Sequence, residues 1–204
     1  MLPIAVVIAT RPRPNLLIKH SLPSVEAQRL KPDLIVVVSD ERPFSAAEQG
    51  ILRRLTPSLK VVFGQNQNSP GAAGTWNTGF SILSELYKDC YVAIIDDDDQ
   101  WHPDHLGSCH TTSKNGQADV VLSGINVVRG STILARNIPE NISTDDFLIG
   151  NPGWQGSNTF ISLSSVLRIG GYTDGLISCN DRDLAIRALE LGDLDIQYTR
   201  RVTV

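Results

Sequence analysis

Short continuous apolar runs recur through the first half of the chain, each followed by a longer segment with helical periodicity. Residues 4–9, 33–38, 60–63 and 91–95 read as strands, because each run is too short for a helix, rich in β-branched residues and bounded by polar ones. An apolar run without polar alternation is expected where both faces of a sheet are covered. Between these strands, residues 15–28 predict a helix that Pro23 bends or interrupts. Ser45 and Glu48 have the capping-box spacing and should open a helix to about Leu55, and residues 72–87 predict another. Strand–helix alternation at this spacing predicts an α/β fold, a mostly parallel sheet with helices on both faces.

The pattern changes at about residue 118. Residues 119–128 and 132–135 predict a hairpin around Arg129-Gly130-Ser131, so antiparallel pairing should join the sheet there. Residues 151–157 predict a long loop before the short apolar stretch 159–161. Residues 164–169 predict a helix stopped by Gly170-Gly171. Asn180 is expected to cap a helix to about Leu191, with Leu184, Ala188 and Leu191 on one face. Residues 195–199 return as a strand. No second domain boundary interrupts this series, so residues 1–204 are expected to form one domain with halves at 1–117 and 118–204.

Composition narrows the partners. The 204 residues are 41% apolar, enough for one large domain, and carry a net charge of −4. Lys and Arg are scattered, so no basic stripe points to nucleic acid. Cys90, Cys109 and Cys179 show neither zinc spacing nor a disulfide framework, which predicts a reducing, cytoplasmic location. The start of the chain has no charged signal-peptide region, and no window is long and apolar enough to span a membrane. Peripheral membrane contact stays open.

The chemistry is concentrated at strand ends, where ligands bind in open α/β sheets. Three such ends are polar: Thr10-Arg11, Ser39-Asp40-Glu41 and the run Asp96-Asp97-Asp98-Asp99. Two unit charges about 6 Å apart repel by roughly 0.7 kcal/mol in bulk water, and by more beside a low-dielectric core. A divalent cation removes that cost, since Mg²⁺-type sites use one or two carboxylates together with substrate phosphates. The competing reading of the acidic run is a solvated loop that caps the next helix.

Several of these segments, in this order, resemble the family 2 glycosyltransferases of the GT-A, nucleotide-diphosphosugar transferase fold. Residues 6–10 resemble the family's opening strand, and residues 35–40 its second, which usually ends in two aspartates. Gly71-Ala72-Ala73-Gly74-Thr75-Trp76-Asn77-Thr78-Gly79 is similar to its Gly-rich segment ending in Asn-x-Gly. Asp96-Asp97-Asp98-Asp99-Gln100-Trp101-His102-Pro103 is similar to its Asp-x-Asp-Asp-x-Trp-x-Pro signature. Gly170-Gly171-Tyr172-Thr173-Asp174 and residues 180–187 resemble its acceptor-side elements.

The resemblance implies a Rossmann-like sheet with an antiparallel acceptor-side portion, residues 1–117 binding a nucleotide-diphosphosugar and 118–204 a glycan or glycolipid acceptor. It places Thr10, Arg11, Asp40, Asn77, Asp96 and Asp97 at the nucleotide-sugar, with Asp40 reading a uracil N–H of a UDP-linked donor. Asp98 would bind Mn²⁺ or Mg²⁺ bridging the phosphates, and Asp181 would be the general base of an inverting transfer. Asn180 and Trp154 are carried as acceptor contacts, Trp154 alternatively as a core anchor and Trp101 as packing beneath the acidic loop. Ser39 and Trp76 depart from the family's usual Asp and Arg, Asn180 from its Glu, and no His follows His110. A haloacid-dehalogenase phosphatase would need a Thr or Val after the acidic pair, where Gln100 and Trp101 stand. The second reading is a non-catalytic nucleotide-sugar or glycan-binding module. Strand-like sequence up to Val204, where family members continue, is expected of a domain cut from a longer protein.

Overall fold

The protein is described here by a computed structural model covering residues 2–114, 116–130 and 132–204. Four parallel strands form the first half of one sheet: β1 (Ile4–Thr10), β2 (Leu34–Ser39), β3 (Val61–Gln65) and β4 (Tyr91–Asp96). The second half adds β5 (Val120–Arg129), β6 (Thr132–Asn137), β7 (Thr159–Ser162) and β8 (Ile196–Val202). The order is β3-β2-β1-β4-β7-β5-β6, with β8 also on β5. β7 lies antiparallel between β4 and β5, β5–β6 is antiparallel, and β8 runs parallel to β5.

The apolar runs are unbroken because helices cover both faces. Along β1, Ala5, Val7 and Ala9 join one core, while Ile4, Val6 and Ile8 join the other. Each fully buried branched side chain contributes about 1.5–3 kcal/mol by leaving water. The first core lies under α4 (Ala72–Leu86), α7 (Leu163–Ile169) and α8 (Asn180–Glu190). The second lies under α1 (Pro14–Lys19), α2 (Ser21–Glu26), α3 (Ala46–Leu55) and α5 (His105–Thr112). A four-residue α6 (Asp146–Ile149) and a 3-10 turn, Gly156–Asn158, complete the helices among the described residues. α4 crosses β1 so closely that a Cβ on Gly79 would sit 2.5 Å from a Val7 methyl.

Several expectations need correcting. The helix expected at 15–28 is two helices that part at His20 rather than at Pro23. Pro23 lacks an N–H and its ring would strike the Lys19 carbonyl, so the break falls one turn upstream. α5 was not expected, since its sequence is polar and only His105, Leu106 and Cys109 are buried. Asn180 is not the cap of α8 but its first residue; Cys179 holds the cap position in a left-handed conformation, φ 61°. The predicted hairpin is present as β5–β6, with Ser131 of its turn outside the described residues.

Candidate functional site

Register brings the polar strand ends level. Thr10 pairs with Ser39 and Ala9 with Asp96, so β1, β2 and β4 end at one height, and Thr10, Asp40 and Asp96 share one cleft. The cleft holds about 550 Å³ and is lined by Thr10, Arg11, Asp40, Asp96, Asp97 and Asp98, with Arg13 beside them. Gly71, Thr75 and Trp76 of the α4 entrance form one wall, and Gly175, Leu176 and Ile177 part of its rim. A hollow of similar size between α5 and β8, about 560 Å³, has Asp104 and Arg201 as its only charged lining residues.

Asp40 serves the start of α4 in place of a capping residue. Its Oδ1 accepts from the Gly71 amide at 2.9 Å, Asn66 Nδ2 at 2.8 Å and Thr75 Oγ1 at 3.2 Å. Its Oδ2 accepts only from Gly71, at 3.0 Å, among the described residues, so a carboxylate with about four acceptor positions keeps capacity facing the cleft. Arg11 stands exposed on the rim, 3.9 Å from Glu41.

The four acids at the β4 tip differ sharply. Asp97 is 1% exposed and already satisfied, taking the Thr10 hydroxyl and Arg13 through Nε at 3.1 Å and Nη2 at 2.5 Å. Burial raises its carboxyl, while Thr10 and Arg13 pull it back. The lone pairs of Asp97 therefore hold the protein, leaving Arg13, itself half-exposed, to face the cleft. Asp96 is raised well above the ordinary carboxylate range, first by desolvation and then by Asp99, Asp181, Asp98 and Asp97. Asp98 is exposed and has no side-chain hydrogen-bond partner among the described residues. Asp99 is raised by burial against the help of Ser157. The 3-10 turn braces this tip: Ser157 Oγ accepts the Asp96 amide at 3.0 Å, and the Ser157 carbonyl accepts the Trp101 indole at 2.7 Å. Trp101 is 4% exposed and stacks on His105, so it is packing beneath the acidic loop.

Asp181, the second residue of α8, is not on the lining of this cleft. It accepts the Tyr172 hydroxyl at 3.2 Å, and the Gly156 amide also holds it. Desolvation nevertheless raises its carboxyl, with Asp99 adding to the shift. Trp76 stacks on Tyr172 with centroids 4.6 Å apart, and its buried indole N–H has no partner among the described residues.

Asn77 and Trp154, two residues expected at the site, turn away from it. Asn77 uses its amide on the backbone of Tyr172, donating at 2.8 Å and accepting at 2.9 Å, so it clamps α4 to the Gly170-Gly171 turn instead of lining the cleft. A Cβ on Gly171, whose φ is 67°, would come within 2.5 Å of Asn77 Oδ1, so that turn needs a glycine. Trp154 is 0% exposed in the first core and offers no ring face to an acceptor; the core-anchor reading holds. Asn180 is partly buried beside Asp181, with its Oδ1 unpartnered among the described residues. Arg13 was missed, although Arg11-Pro12-Arg13-Pro14 at a strand end holds a cation in stiff chain. Ser157 carries no signal, because its partners Asp96 and Trp101 are more than fifty residues away in sequence.

Among the described residues, no three His, Cys, Asp or Glu side chains gather as a metal cage. The donor set still suits a hard cation that takes one or two carboxylates and completes its shell with phosphate and water oxygens. Asp98 is free for it, and the mutual repulsion among Asp96, Asp98 and Asp99 is what such a cation relieves.

A parallel sheet whose strand ends carry an acidic cleft, followed by an antiparallel wall, defines a GT-A-type α/β protein. The glycosyl transferase family 2 profile matches residues 5–166, and the chain belongs to that family. It is 30% identical to the succinoglycan biosynthesis protein ExoW of Rhizobium meliloti (strain 1021) over 112 residues, 53% of this chain and 33% of that protein. It is 24% identical to the amylovoran biosynthesis glycosyltransferase AmsB of Erwinia amylovora over 169 residues, 78% of this chain and 55% of that protein. The chain thus spans between about a third and just over half of the length of these curated relatives. Among solved structures, S. aureus TarS 1-349 in complex with UDP-GlcNAc superposes with a TM-score of 0.75 at 17% identity, covering 99% of this chain and 57% of that one. The mannosyltransferase PcManGT of Pyrobaculum calidifontis, in complex with GDP-Man and Mn²⁺, gives 0.66 at 17% identity, covering 96% and 54%. These likenesses establish the fold.

Proposed function

We propose that this chain transfers a sugar from a nucleotide-diphosphosugar, UDP-linked by preference, to a hydroxyl of a glycan or glycolipid acceptor, with inversion at the anomeric carbon. The observation that carries the reading is the meeting of Thr10, Asp40, Asp96 and Asp98 in one cleft at the ends of β1, β2 and β4 in a family 2 chain. The free capacity of Asp40 Oδ2 suits an imide N–H, which uracil has and cytosine lacks. Asp98 would hold Mn²⁺ or Mg²⁺, which supplies Lewis-acid stabilisation of the departing diphosphate. Arg13, fixed by Asp97, adds a positive charge at the same cleft. Asp181 would take the acceptor hydroxyl proton; its raised pKa makes it a stronger base than an ordinary aspartate. A single base opposite the leaving group permits direct displacement, so an α-linked donor yields a β-linked product.

Support also comes from the relatives, named for succinoglycan and amylovoran biosynthesis, and from neighbours solved with UDP-GlcNAc and with GDP-Man and Mn²⁺. Calorimetry of UDP, CDP and GDP with and without Mn²⁺, followed by proton NMR of the product, tests the reading. UDP should bind best and only fully with Mn²⁺; a preference for CDP, or an α-linked product from an α-donor, overturns it. One observation favours a binding module instead: Asp181 is not on the lining of the cleft. Donor binding with no transfer to any hydroxyl acceptor would decide for the module.

A further inference from the structure

An exposed apolar surface lies away from the cleft, on the β5–β6 hairpin. Beyond Asn126, whose amide still donates to the Val204 carbonyl at 2.8 Å, β5 continues with β6 alone as a two-stranded ribbon. Val127, Val128, Ile133, Leu134 and the adjoining Ile138 are between 42% and 60% exposed. Every described residue from 127 to 136 is exposed, and consecutive strand residues alternate faces, so both faces of the ribbon are bare. The outer edge of β6 has no strand partner among the described residues. Isolated two-stranded ribbons have little stability of their own, and a long apolar edge invites pairing or burial.

The charge on this ribbon is opposite to that of the chain. Residues 125–138 contain Arg129 and Arg136 and no acid, in a protein of net charge −4. Arg136 donates only to Asn126 Oδ1, at 3.1 Å, and neither arginine pairs with a carboxylate among the described residues. We propose that the β5–β6 ribbon is a peripheral docking surface for an anionic lipid bilayer. Its valines, isoleucine and leucine enter the headgroup–acyl boundary, and Arg129 and Arg136 meet lipid phosphates. A second copy of the chain adding a strand to β6 would cover the edge and leave both apolar faces in water, whereas a lipid boundary covers the faces. Two basic residues with a small apolar wedge give reversible binding that falls with salt, because the attraction to an anionic surface decays within a Debye length. No described helix can cross a membrane, so the contact is one of surface docking.

Co-sedimentation of the whole chain with vesicles of phosphatidylcholine, alone or mixed with phosphatidylglycerol, tests this. The chain should pellet with the mixed vesicles at low salt and be released by 0.5 M salt, a level far above physiological ionic strength. Leu134→Ser should weaken the association on the order of tenfold, and Arg129→Gln and Arg136→Gln roughly fivefold each. All three side chains are exposed, so the circular-dichroism spectrum and thermal midpoint should not move. Failure of the wild-type chain to pellet with the mixed vesicles, or undiminished pelleting of Leu134→Ser, overturns the proposal. So does a dimer seen by light scattering that Leu134→Ser dissolves while vesicles go unbound, which would make a second copy the occupant.

Discussion

The tip of β4 and the start of α8 hold carboxylates close enough to repel one another, and they treat the charge in different ways. The β4 tip places four acids in succession: Asp97 is neutralised by Thr10 and Arg13, Asp96 and Asp99 are pushed up by burial and by their neighbours, and Asp98 is left in solvent. The α8 start offers Asp181 to a hydroxyl and an amide in a desolvated niche. Both resist full ionisation chiefly because they are buried, and the first adds the crowding of neighbouring carboxylates. Crowding is relieved by an added cation, and dryness is not. That difference is what the proposed roles rest on, a cation at the first region and a proton at the second.

The largest expected effect separates the two. Asp181→Asn should reduce turnover by about 10² to 10⁴, the usual cost of losing a base, while donor affinity stays near wild type. The folded-state pKa of Asp181 lies above its unfolded value, so its charge costs stability once the pH exceeds both, and nothing below the ordinary carboxylate range. The variant should therefore be the more stable protein at pH 7, with an advantage that disappears on acidification. Near-normal turnover, or a loss of stability at pH 7, would remove Asp181 from the mechanism. Asp98→Asn comes next. Because Asp98 is exposed, the fold should be unchanged and like-charge repulsion relieved, while the Mn²⁺-dependent gain in UDP affinity is lost, a drop of at least about tenfold, or 1.4 kcal/mol. Unchanged Mn²⁺–UDP affinity by calorimetry would contradict the assignment.

The two regions were also unequally legible. The β1–β4 half is readable because its apolar runs end in polar residues, so pattern alone gives the strands, their mostly parallel direction and the polar strand ends. The motif at the β4 tip specified which residues are acidic but not that Asp97 would be consumed by Arg13, since that contact joins positions 84 residues apart. From α5 onward the chain is less legible for a physical reason. α5 is polar along most of its length, its helix being fixed by a few buried side chains that include His105. β8 reaches Val202 past Arg200, a non-glycine residue at φ 55°, a conformation that its pairing to β5 imposes and propensity does not foresee. Trp154 stays undecided in sequence and Asn77 misleads there, because a Gly-rich loop and an Asn-x-Gly look open; in the fold both side chains turn inward to hold the chain.

Burial acts on a base in the opposite direction, and His105 beneath the β4 tip shows it. Sealed between Trp101, Thr203 and Cys109, its imidazole is lowered by desolvation to about 3. A depressed folded-state pKa means the stability is intact above the unfolded value of 6.5 and is lost progressively as pH falls toward 3, at up to about 1.4 kcal/mol per pH unit. His105→Gln, which keeps an amide near Thr203, should lower stability at pH 7 yet flatten the acid limb between pH 6 and 4 by about one proton. Denaturant titrations across that range measure it; an equally steep limb in the variant would place the acid sensitivity elsewhere.

The finest test of the contrast is Tyr172→Phe. Tyr172 is buried, stacked on Trp76 and Phe80, and its hydroxyl is the side-chain donor that Asp181 accepts. Removing that oxygen leaves the stacking area almost unchanged, so packing should lose little. The hydroxyl lowers the carboxyl of Asp181, and without it desolvation acts less opposed, so the pKa of Asp181 rises further. A contact of 3.2 Å is at the long end of the range for a hydroxyl donor, which makes about 1 kcal/mol, or less than about one pH unit, a reasonable size. The acid limb of kcat should therefore move to higher pH by that amount while the alkaline plateau stays within about twofold of wild type. Mn²⁺-dependent UDP binding should not respond, because the β4 tip takes no part in this hydrogen bond. A shift in metal affinity instead of the pH limb would mean that the two carboxylate regions act as one coupled cluster, and the division of labour between them would fall.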